Sequence, residues 1–351
     1  MSTRSTWSIL VQIVVVLFLT LLWPSKTYGM TIFIAGDSTV QSVESKRSPR
    51  SGWGQFFYEY FEMNSMYKSN LTNGISKRIS RYASKDFVIE NHSKFGESVK
   101  SYYDKGIFEF ILNRAQKGDY VLIEFGHNDA NYYRPDKMIS ATEYKTYLKK
   151  MVVDCRKKGV TPVFISSISR YIYRDGRMVN YFAKYRTYMK EAAKETNVIY
   201  LPLGERSDQY LLTTGSTFCK QFYMVLDPGA CVAYPNGRND RTHTTDVGAR
   251  MYAGMVASLI GSEERLSDIS KHLKVNRSSF DKNLYYLLER SDCFSKKQYD
   301  SIKRAIARTM MAEGKEEFSQ GKLASYRRLI NRKTRISLKV KKKLKSKKRK
   351  D

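Results

Sequence analysis

The chain is short of the residues that build metal and redox centres. Only four of its 351 residues are cysteine and four are histidine. No Cys-x-x-C pair occurs among Cys155, Cys219, Cys231 and Cys293, which excludes zinc ribbons and thioredoxin-like redox sites. His-Glu-x-x-His is absent, and with it the helix-borne zinc site of the metalloproteases, so no metal is expected. Gly-x-Ser-x-Gly is absent as well, so the serine elbow of the α/β-hydrolases is excluded. Beyond one N-terminal stretch, no apolar run approaches the roughly 20 residues of a membrane helix.

That stretch runs from Ile9 to Trp23, broken only by Gln12 and Thr20. A basic Arg4, an apolar core of about 15 residues and an exit at Thr27-Tyr28-Gly29 describe a secretory signal peptide over residues 1–29. The protein is then expected to be secreted or associated with the cell surface, an uncleaved membrane anchor being the alternative. Cys219 and Cys231 bracket a turn-like Asp227-Pro228-Gly229, compatible with a local disulfide or with free thiols. Asn70-Leu71-Thr72, Asn91-His92-Ser93 and Asn276-Arg277-Ser278 match the N-glycosylation acceptor pattern.

Hydrophobic residues make up 42 % of the chain and aromatic ones 13 %, enough for a packed core. The formal charge of +28 is spread unevenly, with 27 Lys and Arg against 11 Asp and Glu in residues 262–351 alone. Before that point, short β-rich runs alternate with amphipathic stretches. Thr31 to Ala35, Asp86 to Glu90, Tyr120 to Phe125, Thr161 to Ile168 and Asn197 to Leu203 read as strands. Ala141 to Lys158, Asn180 to Thr196 and Asp246 to Ile260 read as helices. Such alternation implies βαβ units and a parallel sheet, an α/β fold with its functional groups at the carboxyl ends of the strands. Residues 30–261 form this unit; residues 262–351 read as a basic, mainly helical extension ending in a Lys/Arg run that is solvated and disordered.

Three strand ends carry chemistry. The first runs into Gly36-Asp37-Ser38-Thr39, which exposes a hydroxyl after a tight turn. The second leads to Gly96, a backbone donor, and the third to Gly126-His127-Asn128-Asp129, an amide donor. A nucleophile with donors aimed at a developing oxyanion is what acyl transfer requires. His243 supplies a base, and Asp240, three residues ahead of it on a loop, a carboxylate to orient the imidazole. A neutral histidine base implies activity that rises with pH through about 6–7.

Gly36-Asp37-Ser38, Gly96, Gly126-His127-Asn128-Asp129 and Asp240-x-x-His243 stand in the order of the four blocks of the SGNH/GDSL hydrolases, which the chain resembles over about residues 31–260. Gly-Asp-Ser-Thr, Gly52-Trp53-Gly54-Gln55 and Gly248-Ala249 are similar to the rhamnogalacturonan acetylesterase branch. The resemblance implies a flavodoxin-like three-layer α/β/α sandwich, with Ser38 as nucleophile, His243 as base and acid, and Asp240 as orienting carboxylate. It also implies an oxyanion hole of the Ser38 and Gly96 backbone N–H groups and the Asn128 side chain, and no cofactor. Relatives commonly carry arginine where this chain has Glu97, an acidic neighbour expected to weaken attraction for galacturonate-rich substrate.

The function so implied is an exported carbohydrate acetylesterase, its partner an acetylated polysaccharide such as rhamnogalacturonan. A lipase, a thioesterase or a peptidoglycan-related O-acetylesterase keeps the same triad, and a non-catalytic surface-binding protein keeps only the basic tail. Asp37, His127, Tyr132 and Tyr133 are candidate substrate-binding residues, with Tyr171 and Tyr173 further along the same cleft. His92 reads as a packing residue and His272 as a surface one. The basic extension suits an anionic cell-wall polymer or membrane surface; an export signal beside an esterase constellation speaks against nucleic acid.

Overall fold

The computed structural model describes residues 29–62, 67–71, 79–174, 177–180 and 183–274. The signal-like run, Cys293, Asn276 and the basic segment from residue 275 onward lie outside the described residues.

The main sheet is built from β1 (Met30–Gly36), β3 (Tyr67–Leu71), β4 (Ile79–Ala83), β5 (Phe87–Asn91), β6 (Tyr120–Glu124), β7 (Thr161–Ile165) and β10 (Ile199–Leu201). Its order is β10-β7-β6-β1-β5-β4-β3. The five strands read from the sequence pair in parallel. The antiparallel pair β3 and β4, which the sequence reading did not find, extends one edge.

Alternation along the strands divides the core in two. Ile32 and Ile34 face one cluster, Phe33 and Ala35 the other, and all four are buried because successive side chains of a strand point to opposite faces. The Phe33 face is covered by α1 (Val99–Asp104), α2 (Ile107–Arg114), α3 (Ala141–Lys157) and α4 (Ala183–Thr196), through residues such as Phe108, Leu148 and Met189. The Ile32 face is covered by α5 (Leu203–Thr214), α6 (Ser216–Cys219) and α7 (Asp246–Ser262). Helices on both faces of a mostly parallel sheet make the three-layer sandwich.

Local signals fix the helix starts that matter. Ser140 caps α3 in a capping box with Glu143, worth about 1 kcal/mol. Thr245 closes a strand and caps α7 in one residue, its Oγ1 accepting from Gly248 N at 3.2 Å. The packed unit continues past residue 262. In α8 (Ser267–Ser270), Ile269 joins the core with Leu266, Leu273 bridges Phe61, and the His272 ring packs 5.0 Å from Phe87.

A small second sheet, β11-β12-β2, joins β2 (Arg50–Ser51), β11 (Tyr223–Leu226) and β12 (Arg238–Thr245). A two-residue pair, β8 (Tyr173–Arg174) with β9 (Arg177–Met178), lies apart.

The thiols are free: Cys155, Cys219 and Cys231 are all buried and unbonded. Cys219 packs in the core beneath α5, whereas Cys231 lies in a separate small cluster with Met224 and Leu226, so no local disulfide forms. Asn91 is also buried, its Nδ2 donating to Val40 O at 2.9 Å and Ser42 Oγ at 3.1 Å, which removes it as a glycosylation acceptor.

Candidate active site

β1 lies between β5 and β6, so the connection after β1 and the connection into β6 run to opposite sides of it, which makes its carboxyl end a switch point of the sheet, the place where open α/β sheets bind ligands. The turn after Gly36 is held from several sides. Asp37 Oδ1 accepts from Thr39 N and Thr39 Oγ1, both at 2.8 Å. Gly52, Trp53 and Gly54 lie against the turn and donate their N–H groups to Gln41 O (3.0 Å), Thr39 O (2.9 Å) and Val40 O (3.1 Å). Gly52 permits this approach, since a Cβ there would fall 2.4 Å from the Val40 carbonyl carbon. Ser38 sits on this braced turn with 6 % exposure, its Oγ 2.9 Å from His243 Nε2.

His243 and Asp240 come from β12 and not from a loop. Met224 pairs with Asp240 while the preceding Tyr223 pairs with Thr244, so residues 241–243 bulge out of the ladder. Asp240 Oδ1 fastens the bulge by accepting from Thr242 N (3.1 Å) and His243 N (3.0 Å), and Tyr171 N donates to Arg241 O at 2.8 Å. Asp240 Oδ2 then meets His243 Nδ1 at 2.7 Å. Burial alone raises the Asp240 carboxyl. The hydrogen bond and charge of His243 and the two backbone donors outweigh it and hold the group well below the usual carboxylate range. The result is an unbroken chain from carboxylate through imidazole to hydroxyl, able to deprotonate Ser38 and stabilise the imidazolium that forms.

Gly96 and Asn128 stand after the two strands that flank β1. Gly96 adopts φ +74°, which glycine enters without strain, and Lys94 N binds Gly36 O at 2.9 Å to close this loop onto the nucleophile turn. Asn128 donates one amide hydrogen to Glu97 O at 3.0 Å, which fixes its side chain and leaves its second N–H for an oxyanion. The Glu97 carboxylate is held inside the protein. It is buried and accepts from Lys105 at 2.7 Å, Lys137 at 3.1 Å and Ser101 at 2.6 Å, so the expected repulsion of an acidic substrate is cancelled within the protein.

Two of the four candidate substrate contacts point inward. Asp37 is 1 % and His127 3 % exposed, so neither offers a surface to a polymer. Burial drives the His127 imidazole well below its usual range. Tyr132 and Tyr133 are well exposed, with ring centroids 4.0 Å apart. Tyr171 and Tyr173 pack at the edge of the core, their hydroxyls donating to Ser216 O (2.9 Å) and Leu211 O (2.7 Å), so they do not line an open cleft. His92 is buried, 3.0 Å from Glu90.

A layer of carboxyl groups lies beneath the nucleophile. Glu124 is raised to about 8 by burial and by the charge of Asp37, against hydrogen bonds from Trp53 Nε1 and Ile168 N. Burial likewise raises Asp129, which accepts from Val99 N at 2.8 Å, to about 8, and raises Asp37. Thr39 Oγ1 lies 2.8 Å from Asp37 and 3.4 Å from Glu124 Oε1. Its single hydrogen serves the shorter contact.

Sequence reasoning missed Phe95 and Arg50. Phe95 is half exposed and stacks on His243, centroids 5.7 Å apart, while Arg50 lies 4.9 Å over the Phe95 ring. No local motif marks either residue.

A serine hydroxyl, a histidine and an aspartate joined in this way at a switch point of an α/β/α sandwich define a hydrolase-type site. The chain belongs to the GDSL-like lipase/acylhydrolase family, whose model matches residues 32–254. It is similar to the rhamnogalacturonan acetylesterase RhgT of Bacillus subtilis (strain 168), 30 % identical over 243 residues that span 69 % of this chain and 93 % of that protein. It is also similar to a rhamnogalacturonan acetylesterase of Emericella nidulans, 23 % identical over 72 % of this chain and 92 % of that protein. The solved structure of the YxiM protein from Bacillus subtilis superposes with a TM-score of 0.53 at 21 % identity, covering 67 % of this chain and 56 % of that one, and shares the fold.

Proposed function

We propose that the protein is an exported serine esterase that removes O-acetyl groups from a polysaccharide, with Ser38, His243 and Asp240 as its triad. The observation that carries this reading is the Ser38–His243–Asp240 chain, with contacts of 2.9 and 2.7 Å, at the carboxyl end of the sheet. The names of the relatives support an acetylated pectin-type glycan as substrate. Export rests on the basic start and apolar run of residues 1–29.

In this reading Ser38 Oγ attacks the acetyl carbonyl carbon while His243 Nε2 takes the hydroxyl proton. Negative charge develops on the carbonyl oxygen, where the N–H groups of Ser38 and Gly96 and the second amide hydrogen of Asn128 receive it. The C–O bond to the sugar breaks, and the sugar oxygen leaves with the proton from His243. Water then attacks the acetyl-Ser38 ester, passing its proton to His243. Acetate departs and Ser38 recovers its hydrogen. The exposed pair Tyr132 and Tyr133 offers an aromatic face on which a sugar ring stacks.

The test is hydrolysis of aryl acetate, butyrate and octanoate by wild type and Ser38→Ala. Acetate-selective turnover lost in the variant supports the reading. Turnover of the octanoate would transfer the protein to lipid esters, and activity surviving in Ser38→Ala would refute the triad.

A further inference from the structure

The loop that follows β7, residues 166–170, carries neither helix nor strand, so its backbone groups are held by other partners than a ladder. It stands between the two halves of the site. On one side Ser167 Oγ donates to Phe125 O at 2.7 Å, and Phe125 directly precedes Gly126-His127-Asn128. Tyr144 of α3 donates to the same carbonyl at 2.8 Å. The approach is close, since a Cβ on Gly126 would fall 2.4 Å from Ser167 Oγ. On the other side Tyr171 N donates to Arg241 O at 2.8 Å, inside the bulge that presents His243. A shift of this loop is therefore felt by the oxyanion donor and by the base together.

Arg186 of α4, only 4 % exposed, holds the loop. Its Nε donates to Ser167 O at 2.9 Å and its Nη2 to Ser169 Oγ at 3.0 Å, while Nη1 meets Asp208 Oδ2 of α5 at 2.6 Å. Ser169 Oγ in turn donates to Asp208 Oδ1, so loop, guanidinium and carboxylate close a ring. Gly204 leaves room for it, because a Cβ there would fall 2.2 Å from Arg186 Nε. A guanidinium this buried is costly unless it is paired and hydrogen-bonded. Its planar fork has fixed donor directions, whereas a lysine ammonium carries all its donors on one atom and cannot span the same three acceptors.

We propose that Arg186 is a positioning residue of the esterase. By fixing Ser167 and Ser169 it sets Asn128 and the His243 bulge at the spacing that the transition state requires. It acts through these contacts and not on the reacting atoms. The charge that Asn128 receives develops only during the reaction, so the effect falls on kcat rather than on KM. The inference rests on the triad reading above and adds to it a residue that no strand end carries.

Wild type, Arg186→Lys, Ser167→Ala and the double variant are to be assayed on 4-nitrophenyl acetate, with active sites counted by stoichiometric inactivation with an organophosphate. Counting sites removes the part of any loss that comes from unfolded enzyme. Arg186→Lys is expected to lose about 10–100-fold in kcat per site with KM within about threefold, the cost of a misplaced catalytic group. Arg186→Met, which has no donor, loses more than Arg186→Lys. Ser167→Ala lowers kcat in the same way, and the double variant is no worse than the poorer single one, because both act through one contact. Unchanged kcat per site in Arg186→Lys, a loss carried by KM alone, or losses that multiply in the double variant would overturn the proposal. If neither Arg186 variant folds, Asp208→Asn, which removes the charge facing Nη1 but keeps an acceptor, carries the same comparison with Ser167→Ala.

Ser38→Ala separates the two failures. Activity that survives in it sinks the triad reading by itself, and amide hydrogen exchange then decides the role of Arg186. Faster exchange in peptides covering residues 124–131 and 239–243 of Arg186→Lys, with β1 unchanged, supports the positioning role. Equal exchange, or the same acceleration in β1, removes it.

Discussion

Asp240 and His243 are three residues apart on one strand, and their side chains meet at 2.7 Å because residues 241–243 leave the ladder between β12 and β11. In a regular strand, residues three apart point to opposite faces of the sheet. The bulge turns the imidazole back toward its own carboxylate and forward to Ser38.

Asp240→Asn keeps the size and the backbone acceptors of the bulge but loses the charge that orients the imidazole. We expect kcat on aryl acetate to fall by on the order of 10²–10⁴-fold with KM little changed. A loss under tenfold would show that the imidazole is held by other contacts.

Gly52→Ala tests the bracing of the nucleophile turn. The added Cβ would lie 2.4 Å from Val40 C and 2.5 Å from Gln41 N, backbone atoms that cannot rotate away. The turn carrying Ser38 must shift, and we expect about 1–3 kcal/mol of destabilisation together with reduced kcat. Urea unfolding and aryl acetate kinetics on the same preparation check both, and wild-type values in each would contradict the packing.

Glu124 gives stability a pH dependence. Its folded-state value of about 8 stands above the ordinary 4.5, so between those values the folded protein holds a proton that the unfolded chain has released. Its contribution is therefore full in acid and is lost as pH rises through about 8. Glu124→Gln removes this dependence. From pH 5 to pH 8 the Tm of wild type should drop relative to the variant, by ~2–4 °C for each ~1 kcal/mol. Parallel Tm curves would show that Glu124 is ionised in the fold.

The buried thiols predict a further observable. Burial pushes Cys155 and Cys219 up to about 12, and neither they nor Cys231 reach solvent freely. A thiol reagent should label these three only after denaturation. A mass two units lower before reduction, mapped to a Cys219–Cys231 peptide pair, would contradict the structure.

The parts of the fold legible in the chain were those written by short-range patterns. β1, β5, β6 and β7 are apolar runs buried on both faces, and the first three lead into loops with a glycine within five residues, so these strand ends and the residues after them could be placed without knowing the sheet order. β12 was not legible as a strand, because Arg-Asn-Asp-Arg-Thr-His-Thr-Thr has no apolar alternation and is fixed by pairing with β11 and β2. The acceptor pattern at Asn91 and the acidity of Glu97 were visible, but their meanings were not. One side chain is consumed in bracing Val40 O, the other in pairing with lysines eight and forty residues away.

The sequence by itself therefore determined the alternation of strand and helix, the glycine turns and the order of Ser38, Gly96, Asn128, Asp240 and His243, since these depend on neighbours a few residues apart. Tertiary structure alone decided that Asp37 and His127 turn inward, that burial raises the Glu124 carboxyl, and that Phe95 stacks on His243 with Arg50 over the Phe95 ring. Burial and electrostatic field are sums over residues brought together from distant parts of the chain, and no local pattern encodes them.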